Sequence, residues 1–504
     1  MSASAVDAAR EALGALPKPW PALFVAGAWQ APSGGSSAPT FDPSSGERLA
    51  DVPAALPADV DAAVRAAADA QRDWEAIGLE GRVRHIHALR DLIASEAELL
   101  AQLDALNGGL PIGSARADVE GVLQEYRDWP GLALALRGET VPFESRRLHY
   151  TRHKPYGVVA RIVPFNHPVY FAACGVLAPL LAGNAVVLKV ADQTPLSALV
   201  FADLARRALP AGVLSVITGN ATTGEALVTH PLVRRIAFTG STSTGLAIQR
   251  SAATDHVRTV TLELGGKNPM IVFPDADLDA AVDGAVKGSA IAGATQGQSC
   301  GSVTRLFVHA DVHDEFVERF GARLADLRVG PAYAEDCEVG PLVSAGQLER
   351  VRGYIQSGID EGARLVTGGL ERGDWPDGGY YVAPTVFAGV TMDMRIAAEE
   401  IFGPVSSVLS WTSRDEVIEA ANSVDYGLTA SVWTTDLSTA LRTVDAIDSG
   451  YVWVNDVAAH YWGTPFGGFK DSGLGREECL SELATFLQTK AVHVTLGDGP
   501  GVPE

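Results

Sequence analysis

The sequence has few cysteines, few basic residues and no leader pattern, and each shortage argues against a class of protein. Its four cysteines, Cys174, Cys300, Cys337 and Cys479, form no CxxC pair, which argues against a disulfide scaffold or a tetrahedral zinc site. Lys and Arg total 39 against 61 Asp and Glu, and the net charge of −22 disfavours nucleic-acid phosphates and anionic membranes as partners. The N-terminal segment has no basic stretch followed by an apolar core, so we expect no signal peptide and a cytoplasmic protein.

One apolar run, residues 168–188, is long enough to span a bilayer. Pro179 interrupts it, however, and Gly183-Asn184 is typical of a turn. We therefore predict a buried helix, a turn and a buried strand at 185–190 rather than a membrane span.

Helical and strand patterns follow one another along the 504 residues, a length that corresponds to roughly two to four domains. Residues 58–77 and 80–108 have the spacing of exposed amphipathic helices, and residues 147–153 alternate as a half-buried strand does. From residue 157 short apolar strands alternate with helices, and a second alternation begins after about residue 266. This rhythm predicts an α/β fold with two parallel-sheet lobes. The strands expected are 157–163, 185–190, 214–217 and 235–238 in the first lobe, and 270–273, 304–309, 406–411 and 451–455 in the second.

Two residue types with nucleophile and base chemistry occur beside glycines. Cys300 lies between Ser299 and Gly301, where close backbone approach to a ligand is possible, although most single cysteines are buried and inert. Glu263 stands between apolar neighbours before a Gly-Gly turn, and burial there would raise its pKa towards that of a general base. Its alternative role is as the ion-pair partner of Lys267.

A third candidate is Asn166, which follows an apolar strand and precedes a helix. Its amide suits an oxyanion, or it merely closes the turn. The adjacent His167 is an alternative base for Cys300, which would indicate a cysteine hydrolase.

Two strand ends have features that suit a dinucleotide. Gly240 and Ser241 begin a helix after a strand, which favours a pyrophosphate, although many such turns are rich in Gly, Ser and Thr. Lys189 and Asp192 follow another strand, where they could hold ribose hydroxyls.

Taken in order, these motifs and several later ones resemble the aldehyde dehydrogenase family from about residue 22 to 497. The segments that carry the resemblance are Pro164-Phe165-Asn166-His167-Pro168, Ala182-Gly183-Asn184 with Lys189, Phe238-Thr239-Gly240-Ser241-Thr242, Glu263-Leu264-Gly265-Gly266-Lys267, Gly297-Gln298-Ser299-Cys300, Glu399-Glu400-Ile401-Phe402-Gly403-Pro404, Val452-Trp453-Val454-Asn455, Pro465-Phe466-Gly467-Gly468-Phe469-Lys470 and Gly473-Leu474-Gly475-Arg476-Glu477.

The resemblance implies a role for each matched residue. Cys300 is the expected nucleophile, Asn166 the oxyanion donor, and Glu263 the base that hydrolyses a thioester, which argues against the coenzyme-A-acylating branch. Glu400 would hold the nicotinamide ribose and Phe402 would pack on the nicotinamide. The remaining residues expected to bind the cofactor are Val163, Pro164, Phe165, Lys189, Asp192, Gly240, Ser241 and Leu264; no metal is expected.

Three departures from the family pattern stand out. Asp192 replaces the usual Glu, and its charge should disfavour the extra phosphate of NADP, so we expect NAD to be preferred with NADP possible. Thr295 replaces an Asn before Gly-Gln. The spacing from Glu263 to Cys300 is longer than usual, with the extra residues expected in 284–294 as a lengthened helix or bulge.

By position, seven residues should line the substrate pocket: His167, Phe171, Cys174, His460, Tyr461, Trp462 and Phe466. The small Cys174 indicates extra room unless other side chains fill it, so we expect a bulky apolar or aromatic aldehyde. The histidines also suit a carboxy-substituted aromatic aldehyde.

The resemblance implies a Rossmann-like NAD(P)-binding domain (1–132 and 153–265), a catalytic domain (266–481), an oligomerisation arm (133–152 and 482–497) and a tail (498–504). The arm implies a homodimer or homotetramer. Two alternatives to an aldehyde dehydrogenase remain: a cysteine-dependent hydrolase or esterase, and a non-catalytic structural member of the same fold.

Overall fold

A computed structural model of the chain describes residues 22–141 and 147–495. The tail expected at 498–504 lies outside the described residues, as do residues 1–21, 142–146 and 496–497 of the expected domains.

The strands are β1 (Leu23–Val25), β2 (Ala28–Gln30), β3 (Ser37–Phe41), β4 (Arg48–Pro53), β5 (Thr140–Val141), β6 (Arg147–Pro155), β7 (Val158–Ile162), β8 (Ala185–Lys189), β9 (Leu214–Ile217), β10 (Val233–Thr239), β11 (Thr259–Glu263), β12 (Asn268–Val272), β13 (Val303–His309), β14 (Arg364–Thr367), β15 (Thr385–Ala388), β16 (Val405–Trp411), β17 (Tyr426–Gly427), β18 (Thr429–Trp433), β19 (Tyr451–Val454), β20 (Phe469–Lys470), β21 (Gly473–Leu474) and β22 (Leu487–Thr495). The helices are α1 (Pro57–Ala76), α2 (Gly78–Ser95), α3 (Ala97–Gly108), α4 (Ile112–Ala133), α5 (Pro168–Cys174), α6 (Leu177–Leu181), α7 (Leu196–Ala208), α8 (Ala221–Thr229), α9 (Thr242–Ala252), α10 (Leu278–Gly288), α11 (His313–Ala325), α12 (Ala345–Asp360), α13 (Arg395–Ala398), α14 (Arg414–Asn422), α15 (Leu437–Ala446) and α16 (Leu480–Thr485).

The first lobe is built on a sheet of order β2-β1-β9-β8-β7-β10-β11-β21, in which β9 to β11 are parallel. The chain runs outward from β7 through β8 to β9, and then crosses back to β10 on the other side of β7. That reversal leaves a crevice at the carboxyl ends of β7 and β10, which is where open α/β sheets bind ligands.

The second lobe has a sheet of order β14-β15-β16-β13-β12-β18-β19, parallel except for β14. Its strands β12, β15 and β18 are entirely buried, and apolar clusters cover both faces of the sheet. The mixed α/β fold with parallel sheets expected from the strand rhythm is confirmed.

Local differences from the sequence predictions have physical reasons. Residues 80–108 form two helices because the chain leaves helical geometry at Glu96 (φ −116°), and the second of them, α3, is mostly buried rather than exposed. The apolar run 168–188 forms the short helices α5 and α6, a turn at Gly183 (φ +92°) and strand β8. Among the described residues, no helix combines the length and apolar character needed to cross a membrane.

The C-terminal segment returns to the first lobe. Strand β21 pairs with β11, and α16 inserts Leu483 into the apolar core of that lobe. Strand β22 then pairs with β6 along its whole length, and β5 completes a three-stranded sheet. Strand β6 extends to Pro155, past residue 152, where the oligomerisation arm was expected to end. Strand β22 begins at Leu487, so residues 482–486, which were expected in the arm, lie outside this sheet.

Candidate active site

A cleft of about 680 Å³ lies at the carboxyl ends of β7, β8 and β10. All ten residues predicted to bind a cofactor line it: Val163, Pro164, Phe165, Lys189, Asp192, Gly240, Ser241, Leu264, Glu400 and Phe402. The parallel sheet explains the clustering, because successive strands deliver their C-terminal residues to the same edge.

At one end of this cleft, a buried lysine lies beside an acid. The Lys189 ammonium lies 3.4 Å from the Asp192 carboxylate and donates to the Val190 carbonyl at 3.1 Å. Burial lowers the pKa of Lys189, and Asp192 offsets part of that effect. Nearby, the Ser241 hydroxyl caps α9 by accepting the Thr244 N–H at 3.3 Å, so α9 begins at the cleft wall.

At the other end, the Glu400 carboxylate accepts the Gly266 N–H at 3.0 Å. A Cβ at Gly265 would lie 2.5 Å from that carboxylate, so only glycine allows this approach. Phe402 adopts a left-handed conformation (φ 60°) and its ring meets Phe165 edge-on at 5.7 Å. Gln347 and Arg350 of α12 also line this end, and sequence reasoning missed both.

A second cavity, of about 250 Å³, adjoins the cleft, and we call it the inner chamber. Asn166, Glu263 and Cys300 line both cavities and therefore lie where the two meet. Six of the seven predicted pocket residues line the inner chamber: His167, Phe171, Cys174, His460, Trp462 and Phe466. Tyr461 does not, because its side chain is 54% exposed and its hydroxyl donates to Asp456.

The loop that carries Cys300 is fixed from both sides. The Asn268 amide donates to the carbonyls of Cys300 (2.7 Å) and Ser302 (2.8 Å), a role that sequence reasoning missed although Asn268 follows the Gly-Gly-Lys motif. Upstream, α10 ends at Gly288 and a five-residue π-type turn, Ile291–Thr295, contains non-helical residues. The stretch 284–294 therefore contains both the end of α10 and most of an irregular turn.

Glu263 is a buried carboxyl group without a hydrogen-bond partner on either oxygen. Burial, reinforced by the nearby Glu477, raises its pKa well above the usual value. Burial also raises the pKa of the Cys300 thiol to about 12, with Glu400 and Glu263 adding to the shift. The arrangement therefore places a protonated thiol and an unpartnered carboxyl group at the junction of two cavities.

Comparisons with known proteins identify the family of this chain. The profile of the aldehyde dehydrogenase family matches residues 29–492. This chain belongs to the aldehyde dehydrogenase family. It is 41% identical over 483 residues to aldehyde dehydrogenase tropH of Talaromyces stipitatus, covering 94% of this chain and 93% of that protein.

Solved structures of family members superimpose closely on this aldehyde dehydrogenase. The aldehyde dehydrogenase of Bacillus cereus, solved as an NAD+ complex, gives a TM-score of 0.92 at 39% identity, with 96% of this chain and 98% of that chain covered. AldA, the indole-3-acetaldehyde dehydrogenase of P. syringae, was solved as a mutant with NAD+ and IAA. It gives 0.93 at 36% identity, covering 98% and 99%.

Two alternative partnerships do not form in this aldehyde dehydrogenase. The Lys267 ammonium is buried without a hydrogen-bond partner, so it is not paired with Glu263. His167, considered as a base for Cys300, instead bonds Asp118 through Nδ1 at 2.8 Å. The hydrolase reading therefore lacks the histidine–cysteine contact on which it depends.

The inner chamber of this aldehyde dehydrogenase is more acidic than its sequence motifs indicate. Among the described residues, the only fixed cation lining it is Arg161, which pairs with Glu477 at 2.7 Å. His167 and His460 are each paired with an acid, the second with Glu478 at 2.8 Å, and these acids raise both imidazole pKa values against the opposing effect of burial. Six carboxyl groups line the chamber: Asp118, Glu125, Glu263, Glu477, Glu478 and Glu482.

Proposed function

We propose that this enzyme oxidises a compact aromatic aldehyde to the carboxylic acid with NAD, through a thioester on Cys300. The observation that supports this most directly is the position of Cys300, Asn166 and Glu263 at the wall shared by a dinucleotide-sized cleft and a small chamber. That geometry suits a reaction in which the aldehyde and the cofactor approach one thiol from opposite sides.

The cleft residues fit NAD. Lys189 and Asp192 suit the adenosine ribose, the start of α9 at Ser241 suits the pyrophosphate, and Glu400 suits the nicotinamide ribose. Asp192 places a negative charge where the additional phosphate of NADP would lie, and Glu225 lines the same cleft, so NADP would be the poorer cofactor. When bound, the nicotinamide supplies a hydride acceptor. The NAD+ complex of the B. cereus relative supports the same choice.

Each of the three residues at the junction of the two cavities has its own role in the reaction. The Cys300 thiol passes its proton to solvent water and its sulfur adds to the aldehyde carbonyl, while the Asn166 amide and the Cys300 N–H donate to the developing oxyanion. Loss of hydride leaves a thioester on Cys300. Glu263, whose pKa is raised by burial and whose oxygens have no protein partner, then takes a proton from the water that hydrolyses it.

The walls of the inner chamber support a single-ring aromatic substrate. Trp129 and Trp462 meet edge-on at 5.4 Å, and Phe466 packs against His460 at 4.9 Å. The volume of about 250 Å³ lies below the roughly 300–1,000 Å³ of ordinary ligand pockets. Cys174 lines this small chamber, so we propose a compact aldehyde rather than the bulky one expected from the sequence.

The histidines do not support a carboxylate on the substrate. Both are already paired with acids, and further carboxyl groups surround them. A carboxy-substituted aldehyde would therefore meet repulsion. AldA, an indole-3-acetaldehyde dehydrogenase, supports an aromatic substrate.

A panel of aromatic and aliphatic aldehydes with NAD and with NADP tests this function. We expect reduced cofactor and carboxylic acid to form in equal amounts, with aromatic aldehydes giving the highest kcat/KM. Cys300→Ala should abolish both products, whereas Cys337→Ala, which removes a thiol outside both cavities, should not. Ester turnover without any NAD reduction would instead favour the hydrolase.

We also propose that the sheet of β5, β6 and β22 mediates homodimer or homotetramer formation. Most of its side chains are exposed or half-buried on both faces, and Val141 and Leu148 are exposed apolar residues. Such a sheet gains stability by pairing with another subunit. Light scattering should show an oligomer that Leu148→Lys weakens, and a monomeric wild type would contradict the proposal.

A further inference from the structure

Glu125 is a buried carboxyl group in the inner chamber that the proposed reaction does not use. It lies on α4, and its oxygens accept the Trp129 indole N–H at 3.3 Å and the Tyr170 hydroxyl. It lines the chamber together with Cys300 but bonds none of the three junction residues.

The carboxylate still has capacity to accept a hydrogen bond. An ionised carboxylate offers about four acceptor sites, and the protein supplies donors from Trp129, Tyr170 and, more weakly, the Cys174 thiol. Because these donors hold the group in place, no side-chain reorganisation would be needed to receive a fourth. A ligand in the chamber is the available source of that donor.

The surrounding charges favour the same kind of ligand. Carboxyl groups outnumber the single fixed cation in the chamber, Arg161, and that cation is already paired. Anionic substituents are repelled there, whereas groups that donate hydrogen bonds are attracted.

We propose that Glu125 is a specificity residue that accepts a hydrogen bond from a hydroxyl or ammonium group on the aldehyde substrate. This inference rests on the proposed function, because it concerns the substrate of the same site. The hydroxyl and the ammonium group have in common that each carries a hydrogen-bond donor at a distance from the aldehyde carbonyl.

Matched aldehydes test the inference on the wild-type enzyme. Para-hydroxymethylbenzaldehyde and para-ethylbenzaldehyde have nearly the same shape, and only the first carries a donor. We expect a roughly ten- to hundredfold higher kcat/KM for the first, the range for one hydrogen bond to a charged group. The pair 4-aminobutanal and pentanal repeats the comparison for ammonium, and shows which donor is used.

Glu125→Gln assigns the effect, because it keeps the volume and removes the charge. The amide oxygen can still accept the Trp129 N–H, and the amide NH2 can donate to the Tyr170 hydroxyl oxygen. Burial raises the pKa of Glu125 to about 7, so the donor preference of the wild type should grow as pH rises through neutrality. In Glu125→Gln the preference should be smaller and flat with pH. Glu120→Gln, on the exposed face of the same helix, should behave as wild type. The ionisable groups packed around Glu125 lie on three other elements. They are Tyr170 and Cys174 on α5, His460 and Glu478 on the loop after β19, and Glu482 on α16.

The outcomes separate the two proposals. If both aromatic aldehydes reduce NAD with equal efficiency in the wild type, the function stands and the role of Glu125 is refuted. A donor preference that survives unchanged in Glu125→Gln also refutes that role. If neither aldehyde is oxidised while other aldehydes are, the proposed substrate class fails. The comparison of the two aromatic aldehydes on the wild-type enzyme tests for the donor preference even if the Glu125→Gln variant does not fold.

Discussion

Glu263→Gln should divide the reaction into a fast first half and a slow second half. Neither oxygen of Glu263 has a hydrogen-bond partner among the described residues and the side chain is 4% exposed, so the substitution breaks no hydrogen bond and changes little volume. What it removes is the proton acceptor for hydrolysis. A positioned general base contributes roughly 10²–10⁴-fold, so the steady-state rate should fall by that factor.

Stopped-flow measurement of NADH formation gives the decisive reading. Because hydride leaves before water attacks, the variant should still release close to one NADH per active site in a rapid burst and then nearly stop. A thioester on Cys300 should be detectable by mass spectrometry of the intact protein. Glu318→Gln, an exposed acid on α11, serves as the control. If the burst slows as much as the steady state, Glu263 acts on Cys300 rather than on water; if neither slows, another base hydrolyses the thioester.

Three further predictions concern charge. Because the pKa of the Cys300 thiol is raised to about 12, its alkylation by iodoacetamide should accelerate about tenfold per pH unit across the neutral and mildly alkaline range, and a plateau near neutrality would contradict this. Asp192→Asn leaves Lys189 without its acidic neighbour, and the ratio of kcat/KM with NADP to that with NAD should rise about tenfold, equivalent to about 1.4 kcal/mol. Arg161→Met leaves the partly buried Glu477 without its cation, so the free energy of unfolding should fall by about 3 kcal/mol in urea titration; an unchanged value would show that the pair is not needed for stability.

Two buried strands of the first sheet were predicted closely, for a physical reason. Leu214–Ile217 has the bounds expected from the sequence, and Ala185–Lys189 differs by one residue, because a strand buried on both faces must be a short apolar run between breakers. Helix burial was harder. The helix α3 has polar residues that suggest exposure, yet Asp104 and Asn107 are buried and hydrogen-bonded to Val169 and Thr40.

The candidate site could likewise be predicted from the sequence only in part. The ordered motifs pointed to Cys300 and Glu263, and the structure brings both to one junction. The acidic wall of the inner chamber was missed because Glu125 lies on a helix whose polar positions resemble a solvent-facing stripe. Only the fold shows that distant segments cover that stripe. The prediction that Tyr461 lines the chamber was wrong for a related reason. Tyr461 lies in a loop between two residues that do line it, and the direction of a loop side chain does not follow from its neighbours.

The return of the chain to the first lobe has a consequence for how the molecule unfolds. The two lobes are joined covalently where β11 leads into β12, and again where β19 leads towards β21. Opening them apart would break the β21 pairing and draw Leu483 out of the apolar core. We therefore expect the two lobes to unfold as one cooperative unit.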